Sequence, residues 1–91
     1  MEYKVLQDKT VLEDETGAVL AVVDYPEEEE GIVNIKRTFV DDCLRGKGIA
    51  NELMTRAVQY LSANDKKVLP SCSYAKTWFE NHQEYKKLLD R

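Results

Sequence analysis

The apolar positions change period part-way along the chain. Up to residue 40 they come in short runs suited to strands, and after residue 48 they recur every three to four residues. Residues 3–7 alternate weakly, and Asp8-Lys9 then makes a turn. Residues 10–13 read as a second strand, ending in Asp14-Glu15-Thr16-Gly17. That cluster signals a tight turn, with Gly17 free to take positive φ. Residues 18–25, rich in Val and Leu, pair back as a hairpin.

Pro26 and the run Glu27-Glu28-Glu29-Glu30-Gly31 interrupt this pattern. Four adjacent carboxylates repel one another and need water, which predicts an exposed hairpin tip. Consecutive glutamates cannot all face one ion, so a solvated loop is the stronger reading than a metal site. Residues 32–40 form the next strand. Strict alternation would place Val33, Ile35, Arg37 and Phe39 on one face, and Ile32, Asn34, Lys36, Thr38 and Val40 on the other.

Residues 48–64 give the clearest element. Ile49, Leu53, Ala57 and Leu61 fall on one stripe, widened by Ala50, Met54 and Val58. Asn51, Glu52, Thr55, Arg56 and Gln59 lie opposite, as in a helix packed on a sheet. Ser62, Asn64, Asp65 and Lys66 stop it. Residues 67–69 form a short strand closed by Pro70. With a long helix between them, this strand and 32–40 can lie parallel through a right-handed crossover. Ser71 or Ser73 then caps a helix over 74–81. His82-Gln83 loosens it, and 84–90 adds a last helical turn or two. A meander of four strands, a helix, a strand and a helix make an α+β domain.

Ninety-one residues suffice for one domain, 1–91, with a modest core. There are no internal repeats and no apolar run of membrane-spanning length. Met1-Glu2-Tyr3-Lys4 lacks the apolar core of a signal peptide, so a cytoplasmic location with no membrane partner is the default expectation. Cys43 and Cys72 are not spaced as a Cys-x-x-Cys pair, and His82 is the single histidine, which leaves no zinc spacing and no expected metal. Both cysteines are expected as free thiols.

Net charge is −4 but uneven: residues 1–44 carry twelve acidic and four basic side chains, residues 45–91 five acidic and nine basic. An acidic protein overall is a poor partner for nucleic acid. An acidic half would favour a cationic partner such as an amine, although such asymmetry is more often a matter of solubility.

The basic half opens on Leu44-Arg45-Gly46-Lys47-Gly48-Ile49-Ala50, between the strand 32–40 and the long helix. Glycines there let the backbone approach a ligand, and the helix start offers unpaired N–H groups and a positive dipole end. Together they suit a phosphate or pyrophosphate. Three phosphate motifs can be tested. The P-loop pattern fails because Ile49 and Ala50 follow Gly48, and the dinucleotide fingerprint fails at Asn51 and lacks its acidic ribose contact. The third pattern, Arg/Gln-x-x-Gly-x-Gly/Ala, is met by Arg45-Gly46-Lys47-Gly48-Ile49-Ala50.

That motif in that context resembles the acetyl-CoA pyrophosphate loop of the GNAT superfamily of N-acetyltransferases. With Thr38-x-Val40 before it and Pro70-Ser71-Cys72-Ser73-Tyr74 after it, the chain is similar to a subgroup of very small single-domain members, from about residue 25 to the end. The resemblance implies a minimal GNAT fold, a mixed sheet of about five strands that splays into a V, with one long helix after the loop and one or two C-terminal helices. It implies acetyl-CoA as cofactor, held by Arg45, Gly46, Lys47, Gly48, Ile49, Ala50 and Asn51, whose amides from Lys47 onward would cradle the pyrophosphate. The backbone of Thr38, Phe39 and Val40 would run beside the pantetheine.

The implied activity is transfer of acetyl to a primary amine on a small molecule or protein. Cys72 and Tyr74 are the candidate catalytic residues. Cys72 would stand near the thioester sulfur, where a helix N-terminus favours its thiolate, and could accept the acetyl group; otherwise it is a small buried hydrophobe. Tyr74 would protonate the departing thiolate, or else only pack its ring. Direct attack by the amine is the preferred route, with acetyl-Cys72 second. Arg37 stands where related sequences often carry histidine, and an arginine cannot act as a base. It could stabilise a Cys72 thiolate or bind an acceptor carboxylate. Lys76 could reach a CoA phosphate, and Cys43 would anchor the loop. His82 is expected at the surface, and Trp78 and Phe79 in the core.

The helices that usually follow the first strand and build the acceptor pocket are absent here, since only Asp8-Lys9 separates the first two strands. The acceptor site would then be open, or completed by a partner, in a monomer or weak homodimer. The alternative of a different class is a CoA-binding protein with little catalysis, acting as a regulatory or interaction module.

Overall fold

A computed structural model describes residues 1–90. Strands β1 (Glu2–Val5), β2 (Lys9–Glu13), β3 (Val19–Asp24) and β6 (Arg37–Val40) form one sheet in that order, all antiparallel. Strands β4 (Glu27–Glu29), β5 (Ile32–Ile35) and β7 (Lys67–Pro70) form the other, with β5 parallel to β7. Helix α1 (Ile49–Ala63) follows a short 3-10 turn (Asp42–Leu44). Helix α2 (Ser73–Glu80) and a 3-10 segment (Gln83–Leu88) complete the fold. The α+β class read from the periodicity is therefore the observed one, and the acidic run 27–30 is exposed as expected, with Glu27–Glu29 also pairing as a short strand.

The core lies where α1 meets the sheets. Leu53, Met54, Ala57, Val58 and Leu61 from α1 are buried against Leu12, Ala21, Val23, Val33, Ile35 and Val68. Ala75, Trp78 and Phe79 of α2 and Leu88 close the same cluster. One polar pair is sealed inside. Thr10 Oγ1 and Tyr25 Oη lie 2.8 Å apart, and Tyr25 donates to the Leu6 carbonyl at 2.8 Å. The pair is satisfied, so its burial carries no unmet hydrogen-bond penalty.

The run 32–40 departs from the strict alternation read in the sequence. It breaks at Lys36 into β5 and β6, which belong to different sheets. Lys36 N–H donates to the Asp24 carbonyl at 3.1 Å, and the irregularity adds one residue to the strand. An added residue reverses the parity of everything beyond it. Val33 and Ile35 stay in the core, but Arg37 and Phe39 are exposed, and Thr38 and Val40 turn inward instead. Arg37 then pairs with Asp24 at 3.6 Å and sits 5.7 Å from the Phe39 ring.

The same break opens the V. β7 follows β5 to its end, where the Ser71 and Cys72 N–H groups both reach the Ile35 carbonyl, at 3.1 and 3.0 Å. Beyond that rung β6 runs on toward the 3-10 turn while the other chain turns into α2. The cap of α2 is a second correction: neither Ser71 nor Ser73 occupies it. Cys72 does, with φ −82° and ψ 150°, and its Sγ accepts from Ala75 N–H at 3.4 Å. Anchoring on Ile35 fixes which residue stands at the helix start, and serine chemistry does not decide it.

Candidate active site

A cleft of about 360 Å³ lies between the arms of the V. It is walled by Thr38 and Val40 of β6, Leu44 to Gly46, Gly48 to Asn51, and Tyr74 of α2. Each wall follows from its local chemistry. Gly46 and Gly48 have φ of 79° and 74°, a left-handed region that side chains with a Cβ avoid. Gly48 is the N-cap of α1 and provides no side-chain cap. The first intrahelical bond is from Glu52 N–H to the Gly48 carbonyl at 3.1 Å. The N–H groups of Ile49, Ala50 and Asn51 precede it and have no partner within the helix. They face a cleft at the positive end of a helix dipole, which is the requirement of a bound anion.

β6 supplies the second wall. It is an edge strand, bonded only to β3. Asp41 N–H donates to the Leu20 carbonyl at 2.8 Å. With the register Val22↔Phe39 and Asp24↔Arg37, the alternation of an antiparallel ladder gives Arg37 and Phe39 the bonds to β3. The N–H and C=O groups of Thr38 and Val40 are left on the open edge, beside the cleft.

The third wall is the start of α2. Cys72 is half-buried, and its Sγ lies 3.6 Å from Thr38 Oγ1, bridging the V near its apex. Tyr74 stands in the first turn of α2. Burial, and then the neighbouring Cys72, push its phenol above the usual tyrosine value, so it holds its proton at neutral pH. Arg45 pairs with Asp42 at 2.9 Å, both side chains facing solvent. Asp41 accepts from Cys43 N–H at 3.0 Å, and this and a bond from the Cys43 thiol hold its carboxyl below the usual range. The same carboxylate pushes the Cys43 thiol up.

Of the residues singled out in the sequence, the cleft brings together Thr38, Val40, Arg45, Gly46, Gly48, Ile49, Ala50, Asn51 and Tyr74, with Cys72 adjoining through Thr38. The side chains of Phe39 and Lys47 lie outside its wall. Lys76 borders a different surface, with Phe79 and Lys86. Arg37 is engaged by Asp24 on the opposite face of β6, away from Cys72. His82 stacks on Trp78 at 3.9 Å with its Nδ1 2.7 Å from the Trp78 carbonyl, and is half-buried where a surface position was expected. Leu44, buried beneath the loop, and the bond from Trp78 to Asn51 were not anticipated. The only sequence signal for the latter was a single tryptophan within a helix that follows the loop.

A sequence model of the GCN5-related N-acetyltransferase family matches residues 8–88. The chain belongs to this family. Its structure is similar to the solution structure of a GCN5-like protein from Staphylococcus aureus, with a TM-score of 0.76, 31% identity, and coverage of 97% of this chain and 86% of that one. It also resembles Rv2747 from Mycobacterium tuberculosis, crystallised in complex with CoA. That match has a TM-score of 0.61 and 22% identity, over 85% of this chain and 48% of the other. A GNAT-family acetyltransferase from Staphylococcus aureus Mu50 shares the fold at a TM-score of 0.60 and 11% identity. No curated protein sequence matches. The family uses acetyl-CoA, and the three walls fit such a group: bare amides for a diphosphate, a free strand edge for an amide-bearing arm, and a protonated phenol at the far end. Among the described residues, no helix is long and apolar enough to cross a membrane.

Proposed function

We propose that the protein binds acetyl-CoA in this cleft and transfers its acetyl group to a primary amine. The observation that carries the reading is the start of α1, where three uncapped N–H groups share one cleft with the open edge of β6 and the Tyr74 phenol. Bound there, acetyl-CoA supplies an acyl group activated as a thioester. The N–H groups of Ile49, Ala50 and Asn51 hold the diphosphate, with Arg45 at the rim. The Thr38 and Val40 backbone groups hold the pantetheine amides as a further strand would. The free amine attacks the thioester carbonyl directly from the open side of the V. The Tyr74 hydroxyl gives its proton to the leaving sulfur as the C–S bond breaks. The proton shed by the nitrogen passes to water, from which the phenol is reprotonated. Cys72 orders the apex through Thr38 and Ala75 in this route and need not carry the acetyl group.

Tyr74→Phe tests the assignment. It removes the acid and keeps the ring, so kcat is expected to fall by about 100-fold while CoA affinity stays within about twofold. The sign of the pH dependence follows from the raised phenol. The proton is present below the ordinary tyrosine value of about 10 and is lost only as pH rises through the higher value in the folded chain. The Tyr74 proton therefore gives wild-type kcat an alkaline decline, separate from the fall at low pH as the acceptor amine is protonated, and the variant lacks that alkaline limb. CoA binding without turnover on any amine would leave a CoA-binding module, and no CoA binding would remove both readings.

A further inference from the structure

The indole of Trp78 is 3% exposed and donates its Nε1–H to Asn51 Oδ1 at 2.7 Å. The bond joins two elements that the cleft needs in register. Asn51 lies in the first turn of α1 and in the cleft wall, and Trp78 lies on α2, whose N-cap is Cys72 and whose first turn carries Tyr74. The indole has little freedom to swing. His82 stacks on it at 3.9 Å and 10°, Tyr85 packs at 5.6 Å, and Phe79 meets it edge-on at 5.3 Å.

An indole N–H only donates, so it selects the oxygen of the Asn51 amide and leaves Nδ2 as a free pair of donors. A side-chain donor in the first turn of a helix adds to the same anion site as the backbone amides. We propose that Asn51 binds the ligand's phosphate through Nδ2, that Trp78 orients it, and that their hydrogen bond registers Cys72 and Tyr74 against the loop. Trp78 is thus a positioning residue and never touches the ligand. The identity of the ligand as CoA rests on the reading above, but the joint between the helices does not.

Trp78 is the single tryptophan, so the ligand-free chain gives one indole N–H resonance. Its hydrogen exchange reads the joint directly, and calorimetry with CoA reads the donor. In N51A, exchange is expected to speed up and CoA affinity to drop about tenfold, the loss of one hydrogen bond to a charged group. N51D keeps an acceptor for the indole, so exchange stays slow. It also places a negative charge at the anion site, so CoA binds more weakly than to N51A. W78F keeps the ring and drops the donor, lowering affinity by a factor near that of N51A. The double variant N51A/W78F binds no more weakly than N51A alone, because both changes act on one unit. Unchanged indole exchange in N51A, or losses that multiply in the double variant, would overturn the proposal. If W78F fails to fold, the two Asn51 variants decide. If the wild-type chain does not bind CoA, the acetyl-CoA reading falls, and slow exchange lost in N51A still upholds the joint.

Discussion

The two helices begin in opposite ways. α1 starts on a glycine at φ 74° with no side chain to cap it. α2 starts on Cys72, whose sulfur accepts from Ala75 N–H at 3.4 Å. A side-chain cap is worth about 1 kcal/mol over alanine but only a few tenths over glycine, so the start of α1 gives up little by having none. What it keeps is a set of first-turn amides with no side-chain partner, on residues that line the cleft. At α2 the residue that closes the helix end is also the one that meets Thr38 of the cleft wall. One start is thus left open, and the other is closed by an atom that also joins the two arms of the V.

The largest effect should come from closing the open start. Gly48→Val puts a β-branched residue in the left-handed region, at about 1–2 kcal/mol. Nothing lies within 4 Å of the added Cβ, so the strain is relieved only by rotating the backbone that aims the amides. Losing two charge-assisted hydrogen bonds would lower CoA affinity by about 100-fold. Gly17→Val is the control. Gly17 has φ 86° and equal space around it, but it sits in the β2–β3 turn, away from the cleft. It is expected to lose similar stability and no CoA affinity. Equal losses of binding in both variants would mean that general destabilisation, and not the aim of the amides, is being measured.

A smaller effect should come from the capped start. Cys72→Ala removes the acceptor for Ala75 N–H and is expected to lower stability by about 0.5–1 kcal/mol. Cys72→Ser restores a cap and should recover the melting temperature. If transfer is direct, the serine variant keeps turnover within about fivefold, and intact mass after incubation with acetyl-CoA shows no adduct. An acetyl adduct on wild type that is absent from both variants would reverse this, and Cys72 would then be the nucleophile.

The sequence carried the periodic elements and the loop more fully than the V. The stripe from Ile49 to Leu61 and the turn at Gly17 are local patterns, and local patterns survive folding. Two glycines and an arginine before a helix likewise marked the loop that lines the cleft. The break at Lys36 was not legible, because an extra residue in a strand leaves no mark in composition. It follows from β4 and β7 holding β5 while β3 holds β6, a contest between distant partners. Strict alternation therefore puts Arg37 and Phe39 with Ile35, whereas the bulge makes Thr38 and Val40 the inner pair. The cap of α2 failed for the same reason. Serine is the better intrinsic cap, but bonds from Ser71 and Cys72 to the Ile35 carbonyl set the helix start one residue away from either serine. The Trp78–Asn51 bond spans 27 residues, and no window on the sequence contains it.

The smallest effect probes the rim of the open start. Asp42 and Arg45 form an exposed pair at 2.9 Å, with side chains 92% and 69% accessible. Exposed pairs add little to stability, so Asp42→Ala is expected to leave the melting temperature unchanged. Its effect should fall on binding instead. Removing the carboxylate frees the guanidinium and takes a negative charge from beside the amides of α1, so CoA should bind about twofold tighter at low ionic strength. Salt screens exposed charges over about 10 Å at 0.1 M, and the gain should fade as salt is raised. The start of α2 has its cap in place and Asp42 is not beside it, so kcat at saturating acetyl-CoA should not move. A change in kcat without a change in affinity would tie the rim to the chemistry, and the separation between an open binding start and a closed reacting start would no longer hold.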